Sequence, residues 1–399
     1  MSGPNDRITT AISTQELERR WAAARKEMRE RGIDALVMQN NSDWLGGHVK
    51  WFTDIPATNA YPKTVVFHAN DPMTMVEMGG FNTVRNLKGS DPVHRGVGEL
   101  IGSPSFFAVN YTDNFHANCL LPDLKKRGYG TIGLVGPGSM PHAFVTRLKD
   151  GLAGSTKFVD ATEFIDRLKA IKSAEEIVLI KKCCEMQDAI FAKVAANIKP
   201  GMRDIDVTAL AEHEGRVRGS EQGIFLGSSA PVGQPARFAP RHFQGRTLQK
   251  GDHLVLLIEN NGPGGYYGEI ARTLVLGKAS NELTDGFVAM KEAQDYTLSL
   301  MKPGASCADI ANAHDDYMKR HGFELEIRLY AHSQGYDMVE RPMLRADETM
   351  PIEEHMNFAV HPGYNTSSMW MTICDNYMVE AKGVSDCLHK TAKKIFEIN

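Results

Sequence analysis

The stretch LLIENNGPGGYYGEIARTLVLG, residues 256–277, is typical of a strand, a glycine-rich turn and a second strand. Its acidic residues, Glu259 and Glu269, stand where an enzyme could hold a metal ion. They are glutamates, however, and they lie one residue closer together than in a well-known metal site. The stretch is therefore a metal site, the remains of one, or another kind of site built on the same frame.

The residues before this hairpin predict a separate domain over residues 1–165. Ser13 and Glu16 form a possible capping box at the start of a helix, which Gly32 could end. IDALVMQ, TVVFHA, MTMVEM and GTIGLVG then read as buried strands between helices, which is an α/β pattern. GLVGPGS lacks the GxGxxG spacing, so a dinucleotide-binding domain is not predicted.

The hairpin itself belongs to a second predicted domain, residues 166–399. Ser173 and Glu176 make another capping box, and the helix that follows ends at Pro200. A long helix is predicted over residues 281–301, and it also ends in KPG. Because this helix-to-KPG pattern occurs twice about 100 residues apart, an internal duplication is a hypothesis for this domain.

Composition excludes several classes of partner. The formal net charge is −4, the pI is about 6.4, and the chain has no block of Lys and Arg residues, so neither nucleic acid nor a membrane surface is predicted as a partner. The polar start MSGPNDRITTAIS has no apolar signal core, and the spacing of the six cysteines fits neither a disulfide framework nor a zinc ribbon. A cytoplasmic location is the expectation.

Several segments, taken in their order along the chain, resemble one family. They are the helix beginning IKSAEEI, the KPG repeats, QKGDHLVLLIE, GYYGEIARTLVLG, AHSQGYDMVERP, MNFAVHPG and CDNYMVEAKG. Together they resemble the pita-bread fold family, which includes methionine aminopeptidase, aminopeptidase P, prolidase, creatinase and ectoine hydrolase. The resemblance implies an α/β (α+β) chain with a creatinase/prolidase-type domain followed by a pita-bread catalytic domain of pseudo-duplicated α-β halves.

The metallopeptidases of this family hold two divalent metals with Asp, Asp, His, Glu and Glu, and this chain departs from that set. The matching positions hold Leu257 or Ile258 with Glu259 adjacent, then Glu269, His332, His361 and Cys374. Only one of the five ligand types is kept, and a two-metal centre needs bridging carboxylates. The resemblance thus argues against an ordinary dinuclear peptidase. From strand parity, Glu259 is expected to point outward unless a bulge compensates.

The preferred interpretation is a metal-free hydrolase of the creatinase type, which cleaves a C–N bond in a small zwitterionic solute or amino-acid derivative. The candidate catalytic residues are His242, Glu269, His332 and His361. His242 is the histidine nearest to the creatinase position before the strand pair, two residues out of spacing. Glu269 is expected to act as a general base with a pKa raised by burial, or to bind a cationic group of the substrate. No cofactor is predicted on this interpretation.

Two alternatives stay open. One carboxylate, two imidazoles and one thiolate, from Glu269, His332, His361 and Cys374, would suit a single zinc or iron ion and an Xaa-Pro peptidase-like metallohydrolase or a lyase. A non-catalytic ligand-binding protein is the other alternative, because a fold does not determine a function. Cys374 could also be a small buried hydrophobic residue or a nucleophile paired with His361.

The remaining predictions concern the substrate and the assembly. The candidate substrate-binding residues are Glu259, Tyr267, Glu340, Arg341 and Asp375. Glu340 and Arg341 are expected to pair with each other or with the substrate. The partner is a small-molecule substrate, and the resemblance implies a homodimer in which the N-terminal domain of one subunit closes over the other's active site.

Overall fold

The computed structural model describes residues 10–40, 46–56 and 61–399. The chain divides into two compact units, Met1–Lys169 and Ala170–Asn399. The boundary predicted from the sequence lies four residues earlier, between residues 165 and 166. Within the described residues no helix combines the length and the apolar character needed to cross a bilayer.

The first unit is a mixed sheet with helices. Its helices are α1 (Thr14–Arg31), α2 (Gly47–Thr53), α3 (Phe115–Arg127), α4 (His142–Gly151) and α5 (Thr162–Ala170). Its strands are β1 (Ala35–Asn40), β2 (Lys63–His68), β3 (Met73–Met78), β4 (Val84–Asn86), β5 (Val97–Ser103), β6 (Thr131–Val135) and β7 (Lys157–Asp160). They form one seven-stranded sheet in the order β4-β5-β3-β2-β1-β6-β7. α3 and α4 bury Leu120, Phe144 and Leu148 in its core.

The predicted start and stop of the first helix are confirmed. The Ser13 hydroxyl accepts a hydrogen bond from the Glu16 main-chain N–H, and Gly32 ends α1 with a φ of 62°. Ser13 thereby satisfies one of the free N–H groups of the first turn, and glycine adopts the left-handed conformation without a Cβ clash.

The second unit contains two helix pairs and two main sheets. Its helices are α6 (Ala174–Asn197), α7 (Asp204–Val217), α8 (Asn281–Leu300) and α9 (Cys307–Arg320). Its strands are β8 (Gly223–Ala230), β9 (His253–Asn261), β10 (Tyr267–Leu276), β11 (Ala331–Ser333), β12 (Glu340–Met343), β13 (Asn357–Val360), β14 (Gly363–Asn365), β15 (Trp370–Thr372), β16 (Asp375–Glu380), β17 (Gly383–Val384) and β18 (Phe396–Ile398).

The arrangement of these elements repeats once, as the two KPG stops suggested. α6 packs against α7 beside the sheet β18-β10-β9-β8, and α8 packs against α9 beside the sheet β12-β11-β13-β16-β17. The capping box of Ser173 and Glu176 at the start of α6 is present. The predicted hairpin is β9 and β10, and all of its strand residues are buried. This second unit therefore has the predicted α-β halves.

Candidate active site

The two main sheets of the second unit meet at the candidate site. Ala271 in β10 and Cys374 form an isolated bridge: the Ala271 N–H donates to the Cys374 carbonyl at 3.2 Å, and the Cys374 N–H donates to the Ala271 carbonyl at 3.4 Å. This bridge holds the second sheet beside the centre of β10. The side chains gathered there come from β9, β10, β11 and the residue after β13, and they are Glu259, Glu269, His332 and His361.

Glu259 and Glu269 are directly opposed across the hairpin. Opposed residues of an antiparallel pair carry their side chains on the same face, and these two are only 7% and 4% exposed. The expectation that Glu259 points outward is therefore wrong. The two strands pair in a continuous register from Tyr267 opposite Asn261 to Val275 opposite His253, without a bulge.

Gln334 joins the two carboxyl groups, and sequence reasoning missed it. Its Nε2 group lies 2.9 Å from Glu259 Oε1 and 3.5 Å from Glu269 Oε2. The side chain is fully buried. Gln334 follows the end of β11, and the strand register shifts between His332 and Ser333, so the two-residue period of a strand could not point to it.

His332 and His361 approach the same oxygen of Glu269 as Gln334 does. Their Nε2 atoms are 3.6 Å and 4.0 Å from Glu269 Oε2, and the two rings lie edge to face with centroids 5.2 Å apart. Among the described residues, His361 Nε2 has no hydrogen-bond partner although it is buried. A buried polar atom without a partner is costly, so this nitrogen is available to a ligand of the site.

The environment of Glu259 favours its protonated form. Burial raises the pKa of Glu259 well above its usual range, and the neighbouring charge of Glu269 raises it further. The two carboxyl groups also hydrogen-bond each other. These surroundings therefore disfavour the charged form of Glu259.

Glu269 is shifted the opposite way. Burial raises its pKa, but the charges of His361 and His332 and the closeness of the His332 ring outweigh burial and lower the pKa to about 2. The expected raised pKa of Glu269 is thus wrong, because two imidazoles face this carboxylate. Burial lowers the pKa of His361 to about 4. At neutral pH Glu269 is therefore a carboxylate and His361 is neutral, while the surroundings of Glu259 favour its protonated form.

Cys374 is buried but turned onto the main chain. Its thiol donates to the Glu269 carbonyl oxygen at 3.5 Å, and burial raises the pKa of the thiol well above its usual range, followed by the charge of Glu269. A thiol in this state is a weak nucleophile and a weak metal ligand. Its surroundings fit the small buried hydrophobic residue better than the nucleophile or the fourth ligand.

The donor set limits the metals that the site could hold. The resemblance implies that His361 and Cys374 stand where the two-metal members of the family have carboxylates, and such a set does not fit two bridged cations. One ion fits better: ligand atoms of Glu269, His332 and His361 lie within 4.8 Å of one another. One carboxylate and two imidazoles are a common set for a single iron or zinc ion, with positions left open.

Glu340 and Arg341 do not pair with each other. The Lys172 ammonium donates to Glu340 Oε2 at 2.8 Å in a buried ion pair. Arg341 binds the Glu348 carboxylate through its Nε and Nη2 atoms. Both side chains are thus engaged in ion pairs of the second unit, and their predicted contact with substrate stays a prediction.

His242 and Tyr267 have opposite environments. His242 lies in a short 3-10 helix, Arg241–Phe243; it is exposed, and its ring is 4.4 Å from that of Phe243. The structure does not bring it into the group of Glu269, His332 and His361. Tyr267 is fully buried at the start of β10, two residues before Glu269 and hence on the same strand face.

Asp375 belongs to a second polar cluster. Arg272 Nη2 lies 2.6 Å from Asp375 Oδ1, and both side chains are fully buried. His389, Cys387 and Lys393 lie 3.5, 3.3 and 3.6 Å from the same carboxylate. Burial raises the pKa of Asp375, but Arg272 and His389 hold it well below its usual range. Arg272 and Lys393 already neutralise the Asp375 carboxylate, so the cluster is an ion-pair network and not a cation site.

We expect Arg272→Met to lower the free energy of unfolding of the second unit by about 3–5 kcal/mol, because it leaves Asp375 buried without its closest cation. Urea unfolding measures this change, and Arg203→Met, which removes an exposed cation paired with Asp206, is the control. If instead Asp375→Asn leaves unfolding unchanged and raises only KM, Asp375 binds substrate as the sequence predicted.

The chain is similar in sequence and in fold to several known proteins. The chain is 25% identical over 259 residues to "Probable dipeptidase PepE" of Mycobacterium tuberculosis, covering 63% of this chain and 68% of that protein. It is 22% identical over 397 residues to "Ectoine hydrolase" of Halomonas elongata, covering 94% and 96%. The crystal structure of the X-Pro aminopeptidase from Thermotoga maritima superposes with a TM-score of 0.78 at 18% identity, covering 95% of this chain and 99% of that one.

The match to a family lies within the second unit. Residues 178–381, more than half of the chain, match metallopeptidase family M24. This match, with the fold of the solved relatives, confirms the predicted pita-bread family and the general class of enzyme, a hydrolase of C–N bonds. The chain belongs to metallopeptidase family M24.

Proposed function

We propose that this protein hydrolyses a C–N bond in a small zwitterionic solute or amino-acid derivative, without a dinuclear metal centre. One observation carries the proposal: two buried glutamates face each other across β9 and β10, one amide joins them, and two imidazoles lie on the second glutamate. Such a site offers a proton donor and a proton acceptor within one group of side chains.

The roles follow from the two carboxyl environments. Glu269, ionised and held beside two imidazoles, accepts a proton from the attacking water, whose oxygen forms a bond to the carbon of the substrate. Glu259, the protonated partner, donates its proton to the leaving nitrogen as the C–N bond breaks. A proton then passes from Glu269 to Glu259 along their hydrogen bond, which restores the starting state. Each turnover consumes one water molecule.

The imidazoles and the amide orient these groups. His361 is neutral at neutral pH and has a buried Nε2 without a partner among the described residues, so it can hydrogen-bond the substrate. His332 lies against Glu269 and limits the positions that this carboxylate can take.

The relative named "Ectoine hydrolase", which aligns over nearly all of both chains, supports a small solute as substrate.

A single metal ion is the second candidate. Glu269, His332 and His361 would hold it, and when bound such an ion supplies Lewis-acid activation of a water molecule. The observation that favours it is the buried Nε2 of His361 beside a carboxylate. The peptidase and dipeptidase names among the relatives agree with a metal-assisted reaction on a peptide-like C–N bond.

Metal analysis combined with a substrate screen tests the proposal. We expect protein purified without a His tag to contain no stoichiometric metal, and its turnover of creatine, ectoine or Ala-Pro to survive EDTA. About one zinc or iron ion per chain, lost in His361→Ala and needed for turnover, would instead establish the second candidate. Activity on Ala-Pro only after addition of manganese or cobalt would favour an ordinary peptidase.

The predicted assembly and location remain part of this proposal. The resemblance to creatinase and prolidase implies a homodimer, and the absence of a spanning helix among the described residues agrees with a cytoplasmic enzyme. The partner required by the proposed reaction is the small-molecule substrate alone.

A further inference from the structure

We propose that Asn376 is a positioning residue that fixes the direction of the Gln334 amide, so that Gln334 presents only N–H donors to Glu259 and Glu269. The inference rests on the proposed function, in which those two glutamates carry the proton transfers. It adds a residue that neither touches the candidate carboxyl side chains nor belongs to any ligand position of the family.

The direction of the chain of hydrogen bonds is set by a main-chain group. The Glu269 main-chain N–H lies 2.7 Å from Asn376 Oδ1. A main-chain N–H can only donate, so the Asn376 atom facing it must be the carbonyl oxygen. The other end of the Asn376 side chain is therefore the NH₂ group. Without this contact, the oxygen and the nitrogen of the amide could exchange places.

The same logic then determines Gln334. Asn376 Nδ2 lies 2.9 Å from Gln334 Oε1 and 3.3 Å from Asn357 Oδ1, so both of its hydrogens have acceptors. Since Gln334 must accept at this end, its NH₂ group points at the glutamates, at 2.9 Å and 3.5 Å. Asn376, Gln334 and Asn357 are all fully buried, so water does not compete for these bonds.

This polarity has a chemical consequence. An amide whose NH₂ group faces two carboxyl groups donates hydrogen bonds to their oxygens and stabilises them as acceptors. It also holds Glu259 and Glu269 at fixed positions around one donor group. If the amide were reversed, its oxygen would face the carboxylate of Glu269 and repel it. Asn376 thus transmits the direction of a β10 main-chain N–H to the side chain that spans the glutamate pair.

Variants of Asn376 can separate polarity from shape. Asn376→Leu keeps the branched shape and the four side-chain heavy atoms, and it removes all three side-chain hydrogen bonds. Asn376→Thr has one side-chain heavy atom fewer, but its hydroxyl can accept from the Glu269 N–H and donate to Gln334. A residue that only fills space would tolerate leucine better than threonine. A residue that sets polarity would show the reverse order.

The first readout needs no substrate. In protein labelled with ¹⁵N at glutamine side chains, the Gln334 NH₂ signals are identified by their loss in Gln334→Met. We expect these signals to exchange slowly with solvent in the wild-type protein and in Asn376→Thr, and to shift and exchange faster in Asn376→Leu. Unchanged Gln334 signals in a folded Asn376→Leu variant would overturn the inference.

The second readout is turnover of creatine, ectoine and Ala-Pro. We expect Asn376→Leu and Gln334→Met each to lower kcat by about 10- to 100-fold with little change of KM, and the double variant to be no worse than Gln334→Met alone, because Asn376 acts through Gln334. If Asn376→Leu does not fold, Gln334→Met and Asn376→Thr decide. Two results would overturn the inference. One is a double variant in which the two losses of kcat add, and the other is wild-type kcat in Gln334→Met while Glu269→Gln is inactive. Wild-type turnover in Glu269→Gln would overturn the proposed function instead.

Discussion

Glu269→Gln should abolish measurable turnover, with a loss of kcat on the order of 10²–10⁴-fold, while the fold persists. The amide keeps the size of the carboxylate and can still lie beside His332 and His361, but it cannot accept a proton from water. Steady-state kinetics on whichever of creatine, ectoine or Ala-Pro is turned over measures the loss. The side chain is 4% exposed, so circular dichroism and urea unfolding must accompany each assay.

A matched control separates chemistry from burial. Glu176 is equally buried, and its carboxylate accepts hydrogen bonds from the Tyr266 hydroxyl and the Ser173 N–H at the start of α6. Glu176→Gln should lower stability and leave kcat close to the wild-type value. Comparable losses of kcat in both variants would mean that Glu269 acts through the fold, and the catalytic assignment would be abandoned.

Glu259→Gln distinguishes the acid from the base. If Glu259 protonates the leaving nitrogen, the loss should shrink for a substrate whose leaving group needs no proton, such as a nitroanilide, whereas Glu269→Gln should remain inactive on it. Equal losses on both kinds of substrate would show that the two glutamates do not divide the roles in this way.

The sequence predicted the frame of the site well because its motifs are local. The hairpin, the helix caps at Ser13 and Ser173 and the segments around His332 and His361 carry their signals within a few residues. The position of Glu259 was mispredicted because residue counting cannot tell whether a shortening lies in a strand or in a turn. In the structure the register of the hairpin is continuous and the two glutamates are opposed.

The remaining misses depend on contacts between residues that are distant in the chain. Lys172 reaches Glu340 across 168 residues, and no local pattern announces that pair. The pKa of Glu269 is lowered because His332 and His361 converge on it from another sheet. Gln334 and Asn376 are neutral amides, which a search for metal ligands and titratable groups passes over, although they connect the glutamate pair.

Lowering the pH from 7 to 5 should destabilise the first unit by about 3–4 kcal/mol, because its unfolding exposes two imidazoles that then bind protons. Burial lowers the pKa of His68 to about 4, with Arg127 and Arg25 acting in the same direction and Asp123 and Asp71 opposing. Burial lowers the pKa of His116 to about 3, and Lys63 adds to this shift. Both rings are fully buried.

The sign follows from the proton balance. Each folded pKa lies below the ordinary value of 6.5, so between pH 6.5 and about 4 the unfolded chain binds more protons than the folded one. Stability is therefore lost as the pH falls through this range. Carboxylates of this unit with lowered pKa values, such as Glu77 at about 2, add their loss only at lower pH. A loss of this size is a large part of the 5–15 kcal/mol typical of a domain.

Urea unfolding at pH 7, 6 and 5, followed by hydrogen exchange and mass spectrometry of peptides from the first unit, measures this loss. His116→Gln is the informative variant, because glutamine does not titrate and can replace the hydrogen bond that joins His116 Nδ1 to the Thr64 hydroxyl at 2.8 Å. It should remove about half of the pH dependence, since one of the two buried imidazoles is gone. A pH dependence that is absent, or that is the same in wild type and His116→Gln, would show that these rings are not the groups that link folding of this unit to pH.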